Sequence, residues 1–139
     1  MTSLDVQSHF TNVPVNEVIN IIYDYATENH LQLQLPPIDL CNMLSLCISN
    51  VQFLFDGTYY RQIDGVAMGS PLGPVLADIF MDHLEHKARA EIDKTVIYER
   101  YVADIFVIGD STHQINLLFD SAPPSQKMLV KPVANLEGT

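Results

Sequence analysis

Two strand-like runs meet in the segment Glu99–Ile108, which reads ERYVADIFVI. The runs Tyr98–Val102 and Ile105–Ile108 are rich in aromatic and β-branched residues, so both are predicted to be β-strands. Because only Ala103 and Asp104 separate them, the strands are expected to form a hairpin with a carboxylate beside its turn. Similar strings with aliphatic flanks occur by chance in many buried strands, so this segment alone indicates local structure and not function.

The rest of the chain alternates between helix-length and strand-length patterns. Apolar residues recur near helical spacing in two segments, and the second is expected to bury Leu40, Met43, Leu44, Cys47 and Ile48. Asp56-Gly57 is the usual signal of a type I′ turn, and Ser70-Pro71 is typical of a helix start. The predicted elements are a strand ending at Asp5, helices over 15–30 and 38–50, strands over 52–55 and 58–62, a helix from Ser70 to about Ile92, the hairpin described above and a helix over 111–119.

Two further motifs precede the hairpin. Ser3–Pro14 reads SLDVQSHFTNVP, and Gln62–Pro74 reads QIDGVAMGSPLGP. In this order, the three segments resemble the first palm motif, the Gly-Ser-Pro loop and the catalytic hairpin of reverse transcriptases. The strings FTNVP, GVAMGSPL and RYVxD look most like those of Penelope-like retroelements. The resemblance extends from Thr2 to about Leu118.

The resemblance implies an α+β fold, namely a polymerase palm with a small antiparallel sheet backed by helices on one face. A complete reverse transcriptase also has fingers before the first palm motif and a thumb after the hairpin, so the chain is expected to be truncated at both ends. Residues 1–122 are predicted to be a partial reverse-transcriptase domain with some fingers-proximal helices, and residues 123–139 a truncated, poorly defined tail. The implied function is that of a retrotransposon RNA-directed DNA polymerase, which is a nucleotidyltransferase. The implied cofactor is Mg²⁺, or else Mn²⁺. The implied partners are deoxynucleoside triphosphates and an RNA or DNA primer–template.

The resemblance also assigns the site residues. Asp5 and Asp104 match aspartates of the family's catalytic centre, so both are predicted to be catalytic and to bind the metal. Phe10 matches the aromatic residue that packs under the sugar and excludes a 2′-hydroxyl. Taken alone, such residues have plainer interpretations as a turn aspartate and a core phenylalanine. The predicted substrate-binding residues are Phe10, Gly69, Ser70 and Tyr101.

Ala103 departs from the family pattern. The hairpin of the family carries Tyr-x-Asp-Asp, and the first aspartate of the pair helps to hold the two metal ions that drive nucleotide addition. Because neighbouring strand residues point to opposite faces, Asp104 is expected to replace the missing aspartate only if the turn slips by one residue. The chain is therefore expected to be catalytically inactive.

The charge balance limits the binding partners that can be expected. With 7 basic and 17 acidic residues, the formal net charge is −10, whereas nucleic-acid binders usually present a basic face to the phosphates. We expect weak nucleic-acid binding by this chain alone. No apolar run reaches the roughly 20 residues of a membrane span, and no signal peptide is recognised. We therefore expect an intracellular location, nuclear or cytoplasmic, and no membrane partner.

Three groups of residues have simple structural interpretations. Cys41 and Cys47 are expected to be free, buried thiols of a reducing compartment, because no Cys-x-x-Cys pairing suggests zinc. His83 and His86 could bind zinc at their spacing, but a solvated helix face is the favoured interpretation. Asp78 and Asp82 are likewise interpreted as surface charges.

A rival interpretation of the whole chain belongs to another functional class. The chain is then a noncatalytic remnant of a decayed element, or an interaction module derived from one. Ala103 and the acidic balance favour this interpretation, while Asp5, Phe10 and the Gly-Ser-Pro loop favour descent from a working enzyme.

Overall fold

The structure is a computed structural model that describes residues 2–6, 9–109 and 130–135. Helices and small antiparallel sheets occur in the same chain, which confirms the predicted α+β class. The predicted helix over 111–119 lies outside the described residues. In chain order the elements are β1 (Thr2–Val6), α1 (Val15–Glu28), α2 (Pro37–Ser49), β2 (Gln52–Phe55), β3 (Thr58–Arg61), α3 (Gly73–Lys87), α4 (Arg89–Ile92), β4 (Ile97–Tyr101), β5 (Asp104–Ile108) and β6 (Val130–Asn135).

The chain divides into two compact units. The described residues of Met1–His9 and Asp78–Thr139 form unit 1, and Phe10–Ala77 form unit 2. Unit 1 contains the predicted catalytic hairpin and the strand with Asp5. Unit 2 contains both long helices that follow the first motif, and the whole Gly-Ser-Pro loop segment, Gln62–Pro74.

Unit 1 contains a four-stranded sheet in the order β4-β5-β1-β6, and each neighbouring pair is antiparallel. Side chains alternate between its two faces, as the strand period requires. On one face Leu4, Val6, Ile105 and Val107 are buried, and the buried residues Phe80, Met81 and Leu84 of α3 supply further apolar side chains to the core of this unit.

The strand β6 was not predicted from the sequence, which indicated only a tail over residues 123–139. This strand pairs with β1 at the end of the sheet, with a register shift between Ser3 and Leu4. Pro132 lies within it. Proline has no amide proton to donate to a ladder, and an edge strand is the place in a sheet where it is tolerated.

Unit 2 contains α1, α2 and the hairpin of β2 and β3. The helix α2 buries Cys41 and Ile48, which lie seven residues apart and therefore on one side of the helix. Met43 and Cys47 are exposed on the opposite side, so the prediction that α2 buries them was wrong. Burial raises the pKa of the Cys41 thiol, and its Sγ lies 3.7 Å from the carbonyl oxygen of Ile19.

The β2–β3 hairpin confirms the predicted turn. Asp56 and Gly57 have φ values of 47° and 74°, as a type I′ turn requires at both central positions. All residues of both strands are exposed. Phe53 stacks on its cross-strand partner Tyr60 with ring centroids 5.6 Å apart, which supports the pairing of the two strands.

The helix predicted from Ser70 to about Ile92 is shorter and divided. It begins at Gly73, after a turn in which Ser70 Oγ accepts a hydrogen bond from the amide of Leu72 at 3.3 Å. Ala88 has φ −88° and ψ 4°, which ends α3 and separates it from the single turn of α4.

Among the described residues, no helix has the length and apolar character needed to cross a membrane.

Candidate active site

The two predicted metal ligands lie opposite each other in unit 1. Asp5 of β1 is the register partner of Asp104 of β5, and the strands are antiparallel. Opposed residues in such a pair have Cα atoms about 4.5 to 5.5 Å apart and place their side chains on the same face. Asp5 is half-buried and Asp104 is exposed. The structure thus forms a cross-strand pair of carboxylates on the face opposite to the buried apolar side chains.

The two-residue turn between β4 and β5 sets the register that places Asp104 opposite Asp5. Tyr101 pairs with Asp104, so Val102 and Ala103 are the two turn residues. The amide of Val6 donates to the carbonyl oxygen of Ala103 at 2.9 Å, which extends the ladder to the turn. The predicted turn, Ala103 and Asp104, was therefore wrong by one residue, because β4 ends at Tyr101 and β5 begins at Asp104. That Asp104 does not replace the missing aspartate stays a prediction.

Tyr101 lies beside this carboxylate pair. As the cross-strand partner of Asp104, it places its side chain on the same face of the sheet, and the residue is 79% exposed. An exposed aromatic ring next to two carboxylates can offer apolar surface to a bound molecule. Its predicted substrate contact remains a prediction.

The donor set suits a hard divalent cation. Two carboxylates directly opposite each other repel, and a cation between them would relieve that repulsion. Mg²⁺ prefers oxygen ligands and commonly uses one or two carboxylates together with water and substrate phosphates. Over residues 2–6, 9–109 and 130–135, no group of three or more His, Cys, Asp or Glu side chains could hold a metal ion. Asp5 and Asp104 therefore fit one such cation, and Ala103 supplies no third carboxylate.

In unit 2 the structure brings together Phe10 and the start of the Gly-Ser-Pro loop. The amide of Val66 donates to the carbonyl oxygen of Phe10 at 2.9 Å. Phe10 is half-buried, and a methyl group on Gly73 would lie 3.6 Å from its ring. The ring therefore packs beside the residue at which α3 begins.

The glycines of the loop have different surroundings. Gly65 has φ +71°, and a Cβ there would lie 2.1 Å from the carbonyl oxygen of Thr11. Gly69 has φ +88° but faces open space. Gly65 is thus required by a close backbone approach, whereas Gly69 is required only by its backbone conformation.

Sequence reasoning missed an ionic network on the other face of the hairpin. Arg100 Nε donates to Glu85 Oε1 at 2.6 Å, and Arg100 Nη1 donates to Asp78 Oδ1 at 2.7 Å. Tyr98 Oη donates to the same Glu85 oxygen at 2.9 Å. Asp78, which the sequence indicated to be a surface charge, and Glu85 of the same helix are thus partners of β4.

A sequence signal for this network existed. Tyr98 and Arg100 lie two apart in a strand and so share a face, and Asp78 and Glu85 lie seven apart on one side of a helix. An arginine at an inward position of a strand needs a carboxylate partner. What the sequence could not show is that α3 covers this particular face.

The two ion pairs of Arg100, with Glu85 and with Asp78, contribute differently to the stability of the fold. The side chains of Arg100 and Glu85 are 13% and 20% exposed, whereas that of Asp78 is 68% exposed. Burial lowers the pKa of Arg100, but the hydrogen bonds to Glu85 and Asp78 outweigh burial and raise it. Solvent screens the bond to Asp78, so the bond to Glu85 is the stronger contribution to stability.

We expect the Tyr98→Phe variant to lower the free energy of unfolding by about 1–2 kcal/mol, because the Glu85 carboxylate loses a donor. Burial and the adjacent Glu85 raise the pKa of Tyr98, so its hydroxyl is protonated and can donate. Urea denaturation measures the effect. The Tyr101→Phe variant, on the exposed face of the same strand, is the control and should be near neutral; equal losses in both would contradict the assigned hydrogen bond.

His9 is a buried titratable residue in the same unit. Burial lowers its pKa, and the Arg100 charge lowers it further, while Asp78 and Asp5 partly oppose these effects. The folded protein therefore keeps His9 neutral to lower pH than the unfolded chain does. Below about pH 6.5 the unfolded state binds more protons, so acid should destabilise the fold.

We expect the melting temperature to fall as the pH is lowered from about 7.5 to about 5.5, and to fall less in a His9→Gln variant. Thermal unfolding followed by circular dichroism measures both slopes. The His86→Gln variant removes an exposed histidine of α3 and should keep the parent slope. A slope that does not differ between the His9→Gln variant and the parent would contradict this assignment.

Comparison with known proteins identifies the family of this chain. A family model described as reverse transcriptase (RNA-dependent DNA polymerase) matches residues 1–125 of the 139-residue chain. No curated protein matches the chain. The matched segment includes the carboxylate pair, Phe10 and the Gly-Ser-Pro loop. With its α+β fold and a match that covers most of its length, this chain belongs to the reverse transcriptase family.

Proposed function

We propose that this reverse transcriptase domain derives from a Penelope-like retroelement and that it is catalytically inactive as written. One observation supports inactivity above all. Ala103 occupies the turn position at which the family pattern has the first aspartate of a pair, and a methyl group cannot bind a metal ion. Template-directed nucleotidyl transfer by two metal ions needs several carboxylates, and the described residues offer only Asp5 and Asp104 at this point.

The ligand classes follow from the residues that are present. Asp5 and Asp104 would hold Mg²⁺ or Mn²⁺, and a bound ion would supply charge stabilisation to phosphate oxygens. Phe10, Gly69, Ser70 and Tyr101 would contact a deoxynucleotide or the template, with Phe10 excluding a 2′-hydroxyl. Because the net charge is −10, we propose that the chain alone binds an RNA or DNA primer–template weakly. We also propose an intracellular location, in keeping with a retroelement origin.

Cation binding tests the site directly. We expect calorimetric titration with Mn²⁺ to show weak binding by the parent chain and a loss of that binding in an Asp5→Asn variant. The Asp56→Asn variant is a matched control, because it removes the same charge at an exposed type I′ turn where asparagine is favoured. Equal binding by all three chains would contradict the proposed site.

Primer extension tests inactivity. With a primer–template and deoxynucleoside triphosphates, the parent chain is expected to give no product in Mg²⁺ or Mn²⁺. Extension that disappears in the Asp5→Asn variant would contradict inactivity and support a working site.

A noncatalytic remnant or interaction module is the second candidate function. The combination of Ala103 with a strongly acidic chain favours it, since both features oppose polymerisation. A parent chain that folds cooperatively but binds neither Mn²⁺ nor primer–template would favour this candidate over the first.

A further inference from the structure

Arg100 links the helix α3 to the turn of the hairpin. Besides its bonds to Glu85 and Asp78, its Nη1 lies 3.4 Å from the carbonyl oxygen of Val102. Its Nη2 lies 3.4 Å from the second oxygen of Glu85, so the planar guanidinium uses two of its nitrogens on one carboxylate. The arginine thus connects two turns of α3 with the first residue of the β4–β5 turn.

That turn has a strained residue. Val102 has φ +54°, a conformation that is costly for a β-branched side chain. Such a residue persists only where surrounding contacts determine its conformation. Two hydrogen bonds hold this turn: Arg100 Nη1 donates to the carbonyl oxygen of Val102, and the amide of Val6 donates to the carbonyl oxygen of Ala103.

The conformation of Val102 decides where Asp104 lies. A positive φ at the first of two turn residues belongs to the primed turns, whose twist matches that of paired strands. If Val102 relaxed to a negative φ, the strands would splay and the pairing of Asp104 with Asp5 would loosen. Glu85 and Asp78 of α3 hold Arg100, and Arg100 holds the turn that positions Asp104.

We propose that Arg100 is a positioning residue for the cation site: bound to Glu85 and Asp78, it fixes the turn that keeps Asp104 opposite Asp5. Arg100 lies on the face of the sheet opposite to the carboxylate pair, so it would not contact a cation held there. This inference rests on the proposed role of Asp5 and Asp104 as cation ligands. It adds a residue that sets their geometry.

Electrostatics alone predicts the opposite result for the loss of Arg100. Removing a positive charge makes the surroundings of Asp5 and Asp104 more negative, which should tighten the binding of a cation. Loss of positioning should weaken it. The direction of the change in affinity therefore separates the two effects.

The experiment compares Mn²⁺ affinities of full-length chains by calorimetry, at a temperature well below each melting temperature. We expect the Arg100→Met variant to bind Mn²⁺ about tenfold more weakly than the parent, the scale seen when residues that orient metal ligands are replaced. The Arg89→Met variant removes the same charge from an exposed ion pair with Asp93 and should bind as tightly as the parent or slightly more tightly. A purely structural role would lower the melting temperature and leave the low-temperature affinity unchanged.

The Arg100→Lys variant keeps the inference testable if Arg100→Met does not fold. Lysine preserves the charge but has one ammonium group where arginine has a planar group that contacts two carboxylates and a carbonyl. We expect it to fold and to bind Mn²⁺ more weakly than the parent. Parent-like affinity in Arg100→Lys, or tighter binding in Arg100→Met, would overturn the positioning role.

The outcomes distinguish this inference from the proposed function. Binding that requires Asp5 but is insensitive to Arg100 overturns the positioning role alone. Binding that is absent, or that survives Asp5→Asn, overturns the cation site and the positioning role together.

Discussion

Replacement of Ala103 by aspartate is expected to tighten Mn²⁺ binding by about tenfold to a hundredfold, because a third carboxylate joins Asp5 and Asp104. The backbone can accept this change. Ala103 contributes its carbonyl oxygen to the ladder, and the residue of that turn with positive φ is Val102. The new side chain would also restore the Tyr-x-Asp-Asp pattern of the family, because position 103 is where that pattern has its first aspartate.

The Ala103→Asn variant is the matched control for this measurement. Asparagine has nearly the same size and shape as aspartate but carries no charge, and is expected to gain little affinity. Calorimetry on the parent and both variants gives the comparison. If Ala103→Asp binds Mn²⁺ no more tightly than Ala103→Asn, then the turn does not direct a residue at this position toward Asp5.

The Ala103→Asp variant is expected to gain primer-extension activity only if the rest of the site is intact. Loss of a direct metal ligand typically costs several powers of ten in rate, with each power worth about 1.4 kcal/mol. Primer extension that appears in Ala103→Asp and not in the parent would show that Ala103 is the lesion. Restored metal binding without extension would place the deficiency elsewhere in the chain.

Replacement of Gly65 by alanine is expected to lower the free energy of unfolding by about 2–5 kcal/mol, the sum of left-handed backbone strain and a steric clash. The Cβ would lie 2.1 Å from the Thr11 carbonyl oxygen, which is backbone and cannot rotate away. Relief of the clash must separate Gly65 from Thr11. The adjacent hydrogen bond from Val66 to Phe10 would then be lost, so the loop and the first motif would part.

The Gly57→Ala variant measures the contribution of backbone strain alone. Gly57 has φ +74° but no atoms within 4 Å of its Cβ position, so it carries the strain without the clash. We expect it to cost only about 1–2 kcal/mol. Urea denaturation of both variants measures the difference; equal losses would mean that the close approach of Gly65 to Thr11 does not occur in solution.

Local sequence patterns predicted much of the fold. The type I′ turn at Asp56-Gly57 follows from residues that tolerate positive φ, and the hairpin around Ala103 follows from two flanking apolar runs. These features depend on residues within a few positions of each other. The divided helix after Ser70 and the strand β6 were missed, because a helix break at Ala88 and an added edge strand have weak local signals.

The candidate site was predicted only in part, for a similar reason. The motif resemblance pointed to Asp5 and Asp104 as metal ligands, but the sequence pattern placed the turn of the hairpin one residue too late, at Ala103 and Asp104. The structure pairs them directly because the turn consists of Val102 and Ala103. One residue of difference in a turn changes which face a strand residue occupies.

The resemblance of the three motifs to a known family predicted the α+β class, and the order of the motifs and the absence of a carboxylate at position 103 follow from residue identities alone. The tertiary structure alone decided that Asp104 faces Asp5 and that Arg100 meets Glu85. Both contacts join elements far apart in the chain. Strand register and the choice of which helix covers which face result from the collective burial of apolar side chains, which no local pattern specifies.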